Sequence, residues 1–164
     1  MRPILTILCA VVLCSACEKD QHEEIRKFLS FETDSSIVIA ENPSAIVTRA
    51  NLTDTDPNND LDKLTITANS DTNDEVTITL IGSSEGLSKG IFQSQDGNSF
   101  ALLYKNRNLA QVANQTLGTF TLEITNVQDS LIEGSFYGTL VDTTGTMSPR
   151  NARYGFIRTV VKAN

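Results

Sequence analysis

Past residue 17 the chain has no cysteine, because all three, Cys9, Cys14 and Cys17, lie near its start. Nothing is left to bridge, so the remainder folds by packing alone. Tryptophan is absent and there are only three tyrosines, which argues against a sugar-binding platform of stacked rings. The one histidine, His22, precedes every strand-like segment. A histidine-based triad or a His-ligated zinc is thereby excluded from the folded region as ordinarily built. Phosphate-cradling glycine loops and CxxC pairs are also missing. Basic residues are scarce, 13 against 20 acidic, for a net charge of −7. Such a surface repels phosphate backbones and anionic lipid, so nucleic acid is not an expected partner. No apolar run reaches the ~18 residues that a membrane-spanning helix needs.

What the chain does have begins at its start: a basic Arg2, an apolar run from Ile4 to Leu13, and small residues before a cysteine. That order is the pattern of a secretory signal. Leu13-Cys14-Ser15-Ala16-Cys17 resembles the lipobox of bacterial lipoproteins, departing from it at Cys14, where an aliphatic residue is usual. The resemblance implies cleavage after Ala16 and acylation of Cys17. Two or three acyl chains, at ~0.8 kcal/mol per buried CH₂, make a firm membrane anchor. An ordinary signal cut at Ala16, without lipid, is the alternative. Removal of residues 1–16 takes away Arg2 alone and leaves 12 basic against 20 acidic residues, a net charge of −8. Residues 18–27 are mostly charged and cannot build a core, so they read as a solvated tether. The expected organisation is a signal at 1–16, a lipidated tether at 17–30 and one domain at 31–164. The charges after Cys17 resemble the export tag of Bacteroidota lipoproteins. They imply an outer-membrane lipoprotein exposed at the cell surface, or otherwise facing the periplasm.

Beyond the tether no segment repeats with a helical period. Threonine, valine and isoleucine instead alternate, as strands prefer. Leu64, Ile66 and Ala68 alternate with threonines, as do Val76, Ile78 and Leu80, and the polar turn at 69–75 makes the two a hairpin. Strands are also expected at 28–32 and 36–40, with 45–50 either a strand or a helical turn. A second hairpin is expected between 90–94 and 100–105, where Asp96-Gly97 supplies the positive φ of a tight turn. Residues 106–116 read as a connection. In the strongest pair Phe120, Leu122 and Ile124 share a face, and the chain returns through Ile132, Phe136 and Leu140. Gly134 and Gly138 there mark a bulge or a close approach. A closing strand at 153–161 is expected to place Tyr154 and Phe156 in the core. About eight or nine short strands predict an all-β fold, an antiparallel β-sandwich, with a small open β-barrel as the alternative.

From residue 118 the pattern Gly118-Thr-Phe-Thr-Leu-Glu-Ile-Thr-Asn-Val127, then Ile132-Glu-Gly-Ser-Phe136 with Gly138-Thr-Leu140, ends in Arg153-Tyr-Gly-Phe156. It resembles a family of small β-sheet lipoproteins of Bacteroidota, over roughly residue 64 to the C-terminus. That resemblance implies a fold and an envelope address and carries no activity.

Few residues look chemical. Asp54, Asp56, Asn58, Asp60 and Asp62 alternate, as oxygen ligands do in a calcium loop. Asn59 stands where that loop needs glycine, Pro57 stiffens its middle, and Thr65 replaces the closing glutamate. A solvated loop whose side chains cap their own backbone is the preferred reading, with calcium the only candidate cofactor. Glu123 and Glu133 are placed to face each other across the strong hairpin, on its wet side. Asp129-Ser130-Leu131 and Asp142-Thr143-Thr144 resemble Bacteroidota O-glycosylation tripeptides, with Ser130 and Thr143 as acceptors.

These readings converge on a non-enzymatic binding, adhesion or accessory module of the cell envelope, held to the membrane through Cys17. Its partner is an unidentified envelope protein or ligand. A barrel-like small-ligand carrier, with a cavity lined by Phe92, Phe100 and Tyr104, is the alternative, and a carboxylate-dependent hydrolase the third. A filled core with an exposed apolar patch would favour the first, an internal cavity the second, and convergent carboxylates in a cleft the third.

Overall fold

The computed structural model describes residues 25–34, 36–53, 60–82 and 88–163. Its strands are β1 (Phe28–Glu32), β2 (Ile37–Glu41), β3 (Ser44–Thr48), β4 (Lys63–Asn69), β5 (Glu75–Ile81), β6 (Gly90–Gln93), β7 (Ser99–Tyr104), β8 (Leu109–Ala113), β9 (Thr119–Gln128), β10 (Leu131–Asp142) and β11 (Arg150–Ala163). Among the described residues there is no α-helix. Pairing runs β2-β1-β11-β3-β4-β5-β7-β8-β10-β9-β6, and a further pairing joins β11 to β10. That extra contact folds the sheet over on itself. One layer is β2-β1-β11-β10-β9-β6, and the other is β3-β4-β5-β7-β8. Residues 141–142 at the end of β10 pair with β8, and residues 161–163 at the end of β11 pair with β3, so the two longest strands serve both layers. The fold is all-β and sandwich-like.

Four details differ from the sequence reading. There are eleven strands rather than eight or nine. The pairing of β11 with β3 is parallel, so the sheet is mixed. The stretch read as a connection contains β8, whose alternation is hidden because its inward residue Gln111 is polar and fully buried. The expected second hairpin is a crossing between layers, since β6 pairs with β9 while β7 pairs with β5 and β8. A 3-10 turn, Ser94–Asp96, followed by Gly97 at φ 88, makes that crossing. Asn98 fixes it by accepting from the Ile81 N–H and donating to the Gln93 carbonyl, both at 2.8 Å.

The core follows the alternation where the strands stay regular. Leu64 lies opposite Leu80, Ile66 opposite Ile78 and Ala68 opposite Val76, all buried. From β1 and β7 to β9 and β10, the rings of Phe31, Phe100, Phe120 and Phe136 meet with centroids 5.3 to 6.3 Å apart and fill the space between the layers. Gly134 and Gly138 serve close approach and bulge together. A Cβ on Gly134 would lie 2.6 Å from the Glu123 carbonyl oxygen, and one on Gly138 would collide with that of Thr119. Register shifts fall beside both.

On β11 the expected alternation breaks. Phe136 pairs with Gly155 but Gly138 pairs with Ala152, so Arg153 and Tyr154 together oppose Tyr137. This β-bulge changes the phase of the strand. Gly155 comes to lie under the Phe136 ring, where a Cβ would sit 2.5 Å from a ring carbon. Tyr154 takes φ 51, and it and Phe156 turn to solvent, 81% and 36% exposed. The expectation that both belong to the core is therefore corrected. Ala152, Gly155 and Ile157 hold the inward places.

Candidate functional site

The register of the first layer gathers side chains on its outer face. Ile39, Ser30, Phe156 and Ser135 form one row across β2, β1, β11 and β10. The next row runs through Ile37, Glu32, the Arg153 and Tyr154 bulge, and Tyr137. Ile37, Tyr137 and Tyr154 are the most exposed of these large apolar or aromatic groups. Phe28 packs on Phe156 with ring centroids 5.5 Å apart, and the Arg26 guanidinium sits 5.1 Å from the Phe28 centroid. A cation over an aromatic face is attracted by the ring quadrupole.

Charges border these rings. Arg26 pairs with Glu41, and its hydrogen bond holds the Glu41 carboxyl below the usual carboxylate range. Arg158 Nε lies 3.0 Å from Glu133 Oε1, an ion pair in which the N–H is not aligned on the carboxylate. Asn126 donates to the other Glu133 oxygen at 3.1 Å. Arg153, Glu32 and Glu123 have no ion-pair partner among the described residues. Glu123 lies opposite Ser135 and Glu133 opposite Asn126, so the two glutamates do not face each other as expected. The face offers flat apolar and aromatic contact with a polar rim, the makeup of docking surfaces.

A polar cleft of about 270 Å³ lies between β2, β7 and the start of β11. Tyr104 Oη donates to Gln111 Oε1 at 2.9 Å and accepts from Arg150 Nη1 at 3.2 Å, while Gln111 Nε2 donates to the Ser148 carbonyl at 3.0 Å. Burial pushes the Tyr104 phenol up. Each group in this chain is satisfied by the next, which clamps β7, β8 and β11 together. The residues expected to line one carrier cavity are in three places: Phe100 in the filled core, Tyr104 in this cleft, and Phe92 at the opposite end of the layers.

Cys17, Asp54, Asp56 and Asn58 lie outside the described residues. Of the calcium set, Asp62 is engaged already, accepting from the Ala50 N–H at 2.9 Å and from Arg49 at 2.6 Å. Those bonds hold its carboxyl below the usual range. Among the described residues no group of three His, Cys, Asp or Glu gathers, and no helix is long and apolar enough to cross a membrane. Ser130 and Thr143 are both exposed, on the turns after β9 and β10. Beside Thr143 the buried Asp142 carboxylate takes five donors, the amides of Thr144, Thr146 and Met147 and the hydroxyls of Thr144 and Thr146. These bonds, led by the Thr144 amide, hold it far below the ordinary carboxylate range.

Sequence reasoning missed the outer face because Tyr154 and Phe156 alternate as core residues do. The signal against that was Arg158, which shares their parity on the same strand. The class of protein is thus set by an all-β, two-layer fold with an aromatic outer face. Compared with protein families, curated proteins and solved structures, the chain matches none.

Proposed function

We propose that this protein is a non-enzymatic binding module of the cell envelope, anchored by acyl groups on Cys17, which docks a partner protein on the outer face of β2, β1, β11 and β10. The observation that carries this reading is Tyr154. Its φ of 51 and its 81% exposure put a bulky ring in the left-handed region, where it gains nothing from the core. That conformation costs about 1–2 kcal/mol, and strain kept at an exposed residue points to recognition. The filled core and the apolar patch beside Tyr154 favour the same reading over a carrier. A second copy of the cleaved chain would bring the same net charge of −8 and be repelled. The fitting partner is an envelope protein with an apolar patch ringed by basic groups.

The anchor and the outer-membrane address rest on the sequence from Leu13 to Cys17 and on the charges that follow it. The test is to isolate the full chain from membranes after crosslinking, as wild type, as Cys17→Ala and as the double variant Tyr137→Ser, Phe156→Ser. The wild type should bring down a partner and carry acyl groups on Cys17 by mass spectrometry. The double variant should stay in the membrane without the partner, and Cys17→Ala should leave the membrane. A double variant that retains the partner sinks the docking face, and an unacylated Cys17 sinks the anchor.

A further inference from the structure

Apart from the docking face, the layers open at one end into the polar cleft beside Tyr104, and we infer that this cleft binds a small zwitterion, an α-amino acid with an aliphatic side chain. The strand registers decide what faces it. Val38 lies opposite the buried Phe31 and Leu102 opposite the buried Val76, so both point between the layers. Arg150, opposite the buried Leu140, shares that direction. One step beyond Glu75 and Leu103, where the pairing of β5 with β7 ends, stand Asp74 and Tyr104, on the parity of Val76 and Leu102. One layer thus brings Val38 and Arg150 to the cleft, and the other brings Leu102, Tyr104 and Asp74.

The charges select the ligand. Arg150 and Asp74 are half-buried. Arg150 gives an N–H to Tyr104 Oη at 3.2 Å, and its guanidinium lies 5.6 Å from the Tyr104 ring centroid. Asp74 Oδ2 accepts from the Thr72 hydroxyl at 2.9 Å. Neither group has an ion-pair partner among the described residues. Burial leads the upward push on the Tyr104 phenol, and the charges of Arg150, Asp74 and Arg107 all reach it. Arg150 and Asp74 therefore act on one hydroxyl without joining each other. Arg107 and Asp71, exposed at the rim, add one more charge of each sign. Opposite charges held apart beside an apolar floor complement a molecule that carries both and a tail: its carboxylate on Arg150, its ammonium on Asp74, its tail against Val38 and Leu102. A simple anion would meet the carboxylates, and a simple cation the guanidinium groups. At ~30 Å³ for each water displaced, the cleft admits on the order of nine non-hydrogen atoms, the size of leucine.

Calorimetric titration of the full chain bearing Cys17→Ala decides the matter with L-leucine, 4-methylpentanoate, 3-methylbutylamine and glycine as probes. Leucine should bind saturably. The analogues that lack its ammonium, its carboxylate or its tail should each bind at least tenfold more weakly. Asp74→Asn, which keeps an acceptor for Thr72, should weaken leucine fivefold or more at an unchanged unfolding midpoint and leave 4-methylpentanoate no weaker. Arg150→Gln should abolish leucine binding. No saturable binding of leucine to the parent, either single-charge analogue binding as tightly as leucine, or full leucine affinity in Asp74→Asn each overturns the proposal. Should Arg150→Gln fail to fold through loss of its bond to Tyr104, the Asp74 variant and the probe series still decide. Partner capture by the docking face uses side chains on the other side of the layer, so either reading can fail alone.

Discussion

Phe136 and Tyr137 are neighbours on β10, yet the first is 1% exposed and the second 62%. The first belongs to the ring cluster that joins the two layers, and the second to the row that includes Tyr154 beside it. Strand alternation alone explains the β10 pair. On β11 the stretch from Gly155 to Thr159 alternates regularly and leaves Phe156 outside with Arg158, and the bulge at Arg153 and Tyr154 keeps Tyr154 outside while Ala152 turns inward on its far side. The inner rings fill the core, while the outer rings are left to solvent, where the proposed partner would meet them. Substitutions on the two sides should therefore divide between stability and binding.

The largest effect belongs to the inner side. Phe136→Ala removes a fully buried ring and should cost about 3–5 kcal/mol, read from the midpoint of denaturant unfolding. Next comes Gly138→Ala, which forces a methyl against the Thr119 backbone carbonyl. A loss of about 1–3 kcal/mol is expected, and no loss would mean that β9 and β10 separate more easily than their register implies. The Asp142 turn separates the sides by pH. Its folded pKa lies below the unfolded ~3.9, so its contribution is present above that value and fades as pH falls below it. Asp142→Asn should lower thermal stability at neutral pH and flatten the acid limb of the melting-temperature profile. On the outer side, Tyr154→Gly should stabilise by about 1 kcal/mol through relief of the left-handed strain, measured by the same unfolding curves. Smallest of all, Tyr137→Ser should stay within about 0.5 kcal/mol while reducing partner capture.

The readable parts of the sequence were those in which one face is apolar and regular. The β4 and β5 register and the pairing of β9 with β10 came from alternation, and the role of Gly134 and Gly138 from missing side chains. What could not be read depends on departures from that period. Gln111 hides β8 because a buried amide satisfied by Tyr104 and Ser148 looks like a loop residue. The layer crossing at Gly97 uses the same turn chemistry as a hairpin, so Asp96-Gly97 could not distinguish them. The parallel contact of β11 with β3 joins residues more than 110 apart, beyond any local pattern. The candidate face was hidden because Tyr154 and Phe156 look like core residues, although Arg158 on the same parity of β11 marks that side as the wet one.

The most direct test of the docking face is photo-crosslinking in intact cells from a photoreactive phenylalanine analogue placed at Tyr154, at Tyr137, or at Ile46. Ile46 is 40% exposed on the other layer and controls for chance contact. Crosslinks from positions 154 and 137 to one protein of discrete mass, with none from position 46, are the expected result. The same species from all three positions, or none from 154 and 137, would contradict the division of labour between the inner and outer rings.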